Sequence, residues 1–340
     1  MLDKIRGSLI GGAVGDALGY AVEFMQDYTI FERYGEHGIT EYRLTDGRAI
    51  ISDDTQMTMF TAEAIIRAKR KHKSPTVENY TEEIYASYLD WYRTQSADFD
   101  PSFTSERSEL LSLPLLYACR APGGTCLSAL GSGICGTIEN RINNSKGCGG
   151  VMRIAPVPLA LTKEKRDSLD TVDMISARAA AITHGHDLGF VPAAFISRVI
   201  SEILLGSDIF GAVERARAAM ESYPAEYDEL AYFDGKINMA IELAGDESID
   251  ELDAIRYIGE GWVAEETAAI AVYCALRFQG DFERAMIAAV NHSGDSDSTG
   301  AVTGNILGAY LGYSGIPDRF LEKLELGDKL LELADTLADI

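Results

Sequence analysis

The sequence predicts an all-α fold, and three observations carry this prediction. Apolar residues recur at three- and four-residue spacing through most of the 340-residue chain, which is the pattern of amphipathic helices. The alternation typical of strands is confined to the short stretch Ile39–Arg43. Glycines recur every four residues in two segments, one near each end of the chain. The predicted helices are Thr55–Lys71, Val77–Arg93, Leu169–Ile182, Phe190–Leu205, Ile209–Tyr223, Glu226–Leu243, Glu265–Phe278, Asp281–Val290, Thr299–Leu311 and Pro317–Leu337.

The two glycine series indicate close helix packing. They consist of Gly7, Gly11, Gly15 and Gly19, and of Gly300, Gly304, Gly308 and Gly312. Positions four apart form one ridge of a helix, and each glycine inside a helix costs about 1 kcal/mol relative to alanine. Close approach of two backbones would offset that cost. We therefore expect both helices at the centre of one domain, and packing of one against the other would bring the chain ends together.

One long segment lacks helical periodicity. Residues Arg120–Arg153 are rich in glycine and asparagine, and a structureless loop of this length is usually functional or mobile. Elsewhere no low-complexity run or linker divides the chain, and 46% of its residues are hydrophobic, enough for a large core. We therefore expect a single domain over residues 1–340.

The charge balance limits the partners that the protein can have. There are 53 acidic and 30 basic residues, a net charge of −23. Such a surface repels phosphate backbones and anionic headgroups, which argues against nucleic acid as the main partner and against a membrane. The five cysteines follow neither a zinc pattern nor a disulfide framework. With no cleavable signal and no membrane-length apolar run, we expect a soluble, cytoplasmic protein.

The first acidic motif, Ser52-Asp53-Asp54-Thr55, precedes an amphipathic helix. A helix cap explains one such residue, because Ser and Asp accept hydrogen bonds from the free N–H groups of a helix start. A cap does not need two adjacent carboxylates, however, and the flanking sequence is apolar. Two buried carboxylates side by side require a cation.

The second acidic motif lies just before the second glycine-ridged helix. Asp295 and Asp297 would point away from each other within a helix, but in a loop they can converge on one ion, with the hydroxyl of Ser298 beside them. Helix capping is again the alternative. Taken together, the two motifs supply four carboxylates with flanking hydroxyls, which suits a pair of hard divalent cations, Mg²⁺ or Mn²⁺, rather than zinc.

Three further groups are candidates for chemistry. Asp16 and Glu23 are seven residues apart and share one face if the first helix continues that far. The glycines of Gly147–Arg153 would let a backbone approach a ligand and offer N–H groups to phosphate, although a tight turn explains them equally. Thr183-His184 follows a predicted helix, where a cap and a ligand contact remain alternatives.

Six motifs in this order resemble the ADP-ribosylglycohydrolase family. They are Gly15–Glu23, Ser52–Gln56, Gly147–Arg153, Thr183-His184, Gly259–Glu266 and Gly294–Gly300. Each is weak alone, whereas their order is specific and spans nearly the whole chain. The resemblance implies a compact, orthogonal multi-helix globule with two divalent cations at the base of a cleft. It also implies hydrolysis of the glycosidic bond between ADP-ribose and an acceptor.

The resemblance also implies roles for individual residues. The metal-binding positions are Ser52, Asp53, Asp54, Asp295, Asp297 and Ser298. The catalytic positions are Glu23, Asp54 and Asp295, of which Glu23 could bind an ion, position the water or accept its proton. The positions that border the ADP-ribose are Gly147, Cys148, Gly149, Gly150, Met152 and His184.

The chain departs from the family pattern at Cys148, where an asparagine is common, and carries serine at Ser52 and Ser298 where threonine is common. The acceptor-recognising surface has no matching motif, so the acceptor, whether a protein side chain or a small molecule, stays open. Two alternatives also stay open. One is a hydrolase of another nucleotide-like glycoside, and the other is a catalytically silent ADP-ribose-binding relative.

Overall fold

The computed structural model describes residues 1–162 and 168–340 and confirms the all-α fold. The helices of the described residues are α1 (Leu2–Gly19), α2 (Asp27–Tyr34), α3 (Asp53–Lys71), α4 (Val77–Ser96), α5 (Gly124–Gly131), α6 (Pro156–Leu161), α7 (Leu169–Ala181), α8 (Asp187–Leu204), α9 (Ile209–Ala219), α10 (Tyr227–Gly245), α11 (Glu251–Ile258), α12 (Ala264–Arg277), α13 (Phe282–Val290), α14 (Ser296–Leu311), α15 (Asp318–Leu321) and α16 (Gly327–Asp339). Two short antiparallel strands, β1 (Leu44–Thr45) and β2 (Arg48–Ala49), form a hairpin.

Helices α1 and α14 form the centre of the fold, and their glycine ridges face each other as predicted. A Cβ on Gly300 would stand 2.6 Å from the carbonyl oxygen of Gly15, and one on Gly7 or Gly11 would overlap the carbonyl oxygen of a glycine in α14. Ser8 and Asn305 add two reciprocal hydrogen bonds of 2.8 and 2.9 Å between the helices. The glycines therefore allow backbone contact that side chains would prevent.

The remaining helices surround this central pair. Helix α14 also packs on α12 and α13, and α1 packs on α16, while α3 with α4 and α7 with α8 form further pairs. The buried apolar side chains form one continuous cluster that extends from Ile5 to Leu337. Among the described residues, none of the helices is both long and apolar enough to cross a membrane.

The strand-like alternation at Ile39–Arg43 does not correspond to a strand. Its first residue satisfies its backbone with a side chain instead of a neighbouring strand: Asn291 accepts the Ile39 N–H at 2.7 Å and donates to the Ile39 carbonyl at 2.9 Å. The hairpin begins one residue after this stretch, and its turn uses Asp46 and Gly47, both with positive φ of 51° and 78°. Asp-Gly is a favoured pair for such two-residue turns.

The predicted helix Pro317–Leu337 is also wrong, because it is broken into α15 and α16. Between them the chain pairs with β2: the Ala49 N–H donates to Lys323 at 2.8 Å, and the Glu325 N–H donates to Ala49 at 3.0 Å. Leu326 then adopts a left-handed conformation before α16 starts.

The segment Arg120–Arg153 is not wholly irregular, since it contains α5. The short helices α2, α6 and α11 were likewise not predicted, because six to eight residues carry little periodicity. The other predicted helices are confirmed, with ends displaced by at most four residues.

Candidate metal centre and cleft

Both acidic motifs lie at helix starts, as the sequence indicates. Ser52 is the N-cap of α3, and its hydroxyl accepts the Asp54 N–H at 3.2 Å, so the capping interpretation holds for this residue. Asp53 and Asp54 occupy the first turn of α3. Asp295 precedes α14 without capping it through its side chain, and Asp297 lies in the first turn. The Asp297 carboxylate accepts one N–H of its own helix start, that of Ser298 at 3.0 Å, whereas the Asp295 side chain makes no capping bond.

Asp16 of α1 holds the start of α3 in place through hydrogen bonds. Its carboxylate accepts the Ser52 N–H at 2.9 Å and the Thr55 N–H at 3.1 Å, and the Thr55 hydroxyl donates to it as well. Burial, with a contribution from the charge of Asp297, raises the pKa of Asp16 to about 7. Asp16 thus links the glycine-ridged helix to the first acidic motif.

A tight backbone contact fixes the second motif. The Asp295 N–H donates to the Glu260 carbonyl at 2.8 Å, and Gly294 has a φ of 156° with no room for a Cβ beside that carbonyl. The Glu260 and Gly261 N–H groups donate to the Glu266 carboxylate at 3.0 and 3.2 Å. The Gly259–Glu266 motif therefore holds Asp295 in place through the backbone.

The two motifs meet at a cavity of about 330 Å³. The predicted site residues that line it are Glu23, Asp53, Asp54, Gly147, Cys148, Gly149, Met152, His184, Asp295, Asp297 and Ser298. Two predicted residues do not line it. Ser52 lies behind the carboxylates as a cap, and Gly150 packs against α7 and α8, where a Cβ would stand 2.7 Å from the Gly189 carbonyl oxygen.

The carboxylates converge on the cavity floor. Oxygen atoms of Glu23, Asp295 and Asp297 lie within 4.8 Å of one another, and all three residues are buried. Asp53 accepts the Gly123 N–H at 3.2 Å. The Oδ2 atom of Asp54 and the Oε2 atom of Glu23 are buried without a hydrogen-bond partner among the described residues. Unpartnered buried carboxylate oxygens are costly, and a cation would satisfy them.

Burial and mutual repulsion raise the pKa values of the whole group. For Asp53, Asp54 and Asp295 the pKa lies well above its usual range, first because of burial and then because of the charge of Asp297. The same causes raise the pKa of Glu23 to about 11. A protein that keeps five such carboxylates together needs positive charge among them. Oxygen-only ligands of this kind fit hard divalent cations.

The Cys148 side chain faces a carboxylate. Its thiol donates to Asp295 Oδ2, with Sγ and Oδ2 2.7 Å apart, and its N–H donates to the Trp262 carbonyl at 3.3 Å. The Gly147 N–H donates to the Ser145 hydroxyl at 3.4 Å. Two N–H groups of the loop that we expected to contact a ligand therefore already have acceptors within the protein.

His184 is part of a buried chain of hydrogen bonds. Arg153 Nη2 donates to the Thr183 hydroxyl oxygen at 2.7 Å, and that hydroxyl lies 2.8 Å from His184 Nδ1. Arg153 can only donate, so the hydroxyl proton is available for Nδ1, and this arrangement favours the tautomer with its proton on Nε2. Burial, reinforced by the positive charge of Arg153, lowers the pKa of His184 to about 3. The imidazole is therefore neutral and can offer its Nε2–H to a ligand.

Several lining residues were missed by the sequence reasoning. Phe24 and Trp262 form a stacked pair at the cavity, and Ala121, Pro122, Gly123, Gly124, Thr125 and Cys126 form one wall. Phe24 directly follows Glu23, the last residue of the Gly15–Glu23 motif, and Trp262 lies inside the Gly259–Glu266 motif. Both residues are therefore in or next to motifs that the sequence shows. The wall residues lie in the glycine-rich segment Arg120–Arg153, whose composition indicates function or mobility, but no motif distinguishes them within it.

A helical fold with buried carboxylates at two helix starts around one cleft defines the class of protein, and sequence comparison names its family. The chain belongs to the ADP-ribosylglycohydrolase family, whose sequence model matches residues 1–340. The ADP-ribosyl-[dinitrogen reductase] glycohydrolase of Rhodospirillum rubrum is 25% identical over 95% of this chain and 91% of its own length. An ADP-ribosylarginine hydrolase of Serratia proteamaculans is 25% identical over 99% of this chain and 79% of its own length.

A solved structure described as an ADP-ribosylglycohydrolase-related protein complex has a similar fold. Its TM-score is 0.64 at 24% identity, over 99% of this chain and 98% of that one. The fold expected from the resemblance is thereby confirmed, and membership of the family supports hydrolysis of an ADP-ribose linkage.

Proposed function

We propose that this protein is a metal-dependent hydrolase that cleaves the glycosidic bond between ADP-ribose and an acceptor. The observation that carries the proposal is the convergence of Glu23, Asp53, Asp54, Asp295 and Asp297 on one cavity floor. The unpartnered oxygens of Asp54 and Glu23 support cation binding at that floor. Family membership supports the linkage that is cleaved.

Two divalent cations, Mg²⁺ or Mn²⁺, are the proposed cofactors. Asp53, Asp54, Asp295 and Asp297 would hold them, with the Ser298 hydroxyl beside the second pair. When bound, such ions lower the pKa of a water and orient the substrate's oxygens. Ser52 would act indirectly, since its hydroxyl is already bonded to the Asp54 N–H.

The protein groups account for the remaining steps. Bound cations would favour the ionised form of Glu23, which lines the cavity with one free oxygen. In that form Glu23 would accept a proton from the attacking water, whose oxygen forms the new bond to the anomeric carbon. The bond to the acceptor breaks with its electron pair on the acceptor atom, which takes up the proton that Glu23 accepted, so that Glu23 returns to its ionised form. His184 Nε2–H would donate to the ADP-ribose beside the Gly147–Gly149 loop, since Nε2 lies close to both glycines.

Release of ADP-ribose from modified substrates tests this proposal. The full chain is assayed with ADP-ribosyl-arginine, ADP-ribosyl-serine and O-acetyl-ADP-ribose, with Mg²⁺, with Mn²⁺ and after chelation. We expect release of ADP-ribose that needs the metal and falls at least about 100-fold in Asp295→Ala and Asp297→Ala. Asp98→Ala is the control, because Asp98 is exposed and does not line the cavity.

Two results would contradict the proposal. Full activity of the chelated protein would rule out the metal-dependent mechanism. Absence of release by a correctly folded protein that still binds ADP-ribose would favour the silent relative.

A further inference from the structure

Two cysteine side chains line the cavity, and the charges beside them are opposite. Cys126 Sγ lies 3.3 Å from Nη1 of the Arg153 guanidinium, which repels a cation. Cys148 Sγ lies 2.7 Å from Oδ2 of Asp295, a carboxylate that attracts a cation. Of these two sulfur atoms, that of Cys148 is therefore the one placed to bind a cation.

Further donor atoms lie on the same side of the cavity as the Cys148 thiol. Asp54 lines the cavity with an Oδ2 atom that is buried and has no hydrogen-bond partner among the described residues. Met152 also lines the cavity, and its Sδ lies 3.9 Å from the hydroxyl oxygen of Ser298. The second acidic motif, with Asp295, therefore has sulfur atoms beside its oxygen donors.

Sulfur donors change which cation a site prefers. Mg²⁺ and Mn²⁺ suit carboxylate, carbonyl and water oxygens, whereas thiolate and thioether ligands select softer cations such as Zn²⁺. Position 148 is also where the chain departs from the family pattern, with a cysteine in place of the common asparagine. An asparagine amide cannot supply an anionic sulfur, so this departure adds a soft ligand to a centre of hard ones.

We propose that Cys148 and Asp295 form a binding site for a thiophilic divalent cation of the Zn²⁺ class, which inhibits the enzyme. This inference rests on the proposed function and adds a regulation of its metal centre. With Mg²⁺ or Mn²⁺, the thiol remains a hydrogen-bond donor to Asp295. With Zn²⁺, the thiol proton passes to water and the sulfur binds the cation directly. Asp295, one of the proposed ligands, is then withdrawn from the hard cations.

The geometry needs one small adjustment. A Zn–S distance of about 2.3 Å and a Zn–O distance of about 2.0–2.2 Å, at a tetrahedral angle, place the two ligand atoms about 3.6 Å apart. Cys148 Sγ and Asp295 Oδ2 are 2.7 Å apart with the thiol proton between them, so they have to separate by about 0.9 Å. Cys148 borders a cavity of about 330 Å³, which leaves room for its side chain to turn.

Cadmium absorption tests binding by sulfur without depending on catalysis. The metal-free full chain is titrated with Cd²⁺, because Cd²⁺–thiolate bonds give an ultraviolet charge-transfer band that Cd²⁺–carboxylate bonds lack. We expect a saturable band in the wild type, and in Cys148→Ser no band and a Cd²⁺ affinity at least about 100-fold lower. The Mn²⁺ affinity of this variant should stay within about threefold of the wild type. A loss confined to Cd²⁺ distinguishes a ligand from a residue that only supports Asp295.

The other cysteines supply matched controls. Cys135 is half-buried and does not line the cavity, so Cys135→Ser should keep the band. Cys119 is exposed, and Cys119→Ser should keep the band while removing any binding at the surface. Cys148→Ala is a second variant that also lacks the sulfur. No band in the wild type, or an unchanged band in the two Cys148 variants, would overturn the proposal.

Inhibition by Zn²⁺ tests whether the site acts on the proposed reaction. In the Mn²⁺-loaded protein, we expect Zn²⁺ to stop release of ADP-ribose, and the half-inhibiting Zn²⁺ concentration to be at least about tenfold higher in Cys148→Ser. Equal sensitivity of the two proteins would overturn the inhibitory role. Release of ADP-ribose by a wild type without a Cd²⁺ band would leave the proposed function standing and refute this inference. A Cd²⁺ band without release from any substrate would support the sulfur ligand and refute the proposed function.

Discussion

Gly15 of α1 and Gly300 of α14 meet backbone to backbone, so that a Cβ on Gly300 would stand 2.6 Å from the Gly15 carbonyl oxygen. Each glycine is close to a carboxylate of the site. Asp16 follows Gly15, and Asp297 lies three residues before Gly300, close enough for its charge to raise the pKa of Asp16. Because Asp16 also accepts the Ser52 and Thr55 N–H groups, the contact between α1 and α14 contributes to the distance between the two acidic motifs.

Replacement of either glycine by alanine should destabilise the fold. The added methyl group overlaps backbone atoms that cannot rotate away, so we expect Gly15→Ala and Gly300→Ala each to cost about 1–3 kcal/mol or more. Gly235→Ala in α10 is the matched control, because nothing lies within 4 Å of the added Cβ. That variant should gain about 0.5–1 kcal/mol. Urea unfolding measures all three, and equal stability of the three variants would contradict the close contact.

The sequence predicted those parts of the molecule whose signals are local. The glycine ridges follow from a four-residue spacing, and the two acidic motifs from aspartates in excess of what a helix cap requires. These local signals agree with the structure because the direction of the side chains in the first turn follows from where a helix begins. Convergence of the two motifs was inferred from their shared composition. In the structure, Asp16 joins α1, which packs on α14, to the start of α3.

Other parts of the site depend on contacts between distant segments. The Asn291 side chain binds the backbone of Ile39, although Ile39 begins the stretch with strand-like alternation. The Phe24–Trp262 pair joins residues 238 positions apart, and no periodicity in either segment indicates it. The break before α16 arises in the same way, from pairing of its preceding residues with β2.

The metal-free protein should lose stability as the pH rises from 7 to 9. Glu23 has its pKa raised to about 11, so it keeps its proton in the folded chain while the unfolded chain has lost it. A group that binds more protons in the folded state destabilises that state with rising pH, by up to about 1.4 kcal/mol per pH unit. His184 and His292, whose pKa values are lowered to about 3 and 4, are neutral in the folded chain, and in the unfolded chain they lose most of their remaining charge by about pH 7.5, so they contribute little above that pH.

Divalent cations should reverse this pH dependence. A bound cation compensates the negative charge of the carboxylates, and an ion present at 100 times its Kd adds about 2.7 kcal/mol to the free energy of unfolding. We expect Mg²⁺ or Mn²⁺ to raise the melting temperature more at pH 9 than at pH 7. Asp54→Asn should reduce the pH slope of the metal-free protein and weaken the metal effect. Equal melting temperatures with and without metal at both pH values would contradict cation binding at these carboxylates.

His184 should carry its proton on Nε2 throughout pH 5–8. The assignment follows from the hydrogen bonds that lead from Arg153 through Thr183 to Nδ1, and the lowered pKa keeps the ring neutral in this range. Nitrogen NMR of the imidazole reports the tautomer directly. We also expect His184→Leu to weaken ADP-ribose binding about tenfold, whereas His184→Gln, which keeps a donor, should stay within about threefold. A proton on Nδ1 would refute the assignment.

The Cys148 thiol should act on the metal centre through Asp295 rather than as a nucleophile. Burial, followed by the charge of Asp295, raises the pKa of this thiol well above its ordinary value, which disfavours the reactive thiolate. Its hydrogen bond to Asp295 Oδ2 orients a proposed metal ligand. Such supporting contacts are typically worth 10- to 100-fold in metal affinity.

Cys148→Ser and Cys148→Val separate these roles. Serine keeps a donor for Asp295, so we expect metal affinity within about threefold of the wild type. Valine removes the donor at similar volume, and metal affinity should fall about 10- to 100-fold. Titration of the melting temperature with Mn²⁺ measures both affinities. Loss of ADP-ribose release in the serine variant, at unchanged metal affinity, would instead assign Cys148 a direct part in the reaction. An unaffected valine variant would show that Asp295 needs no support from this residue.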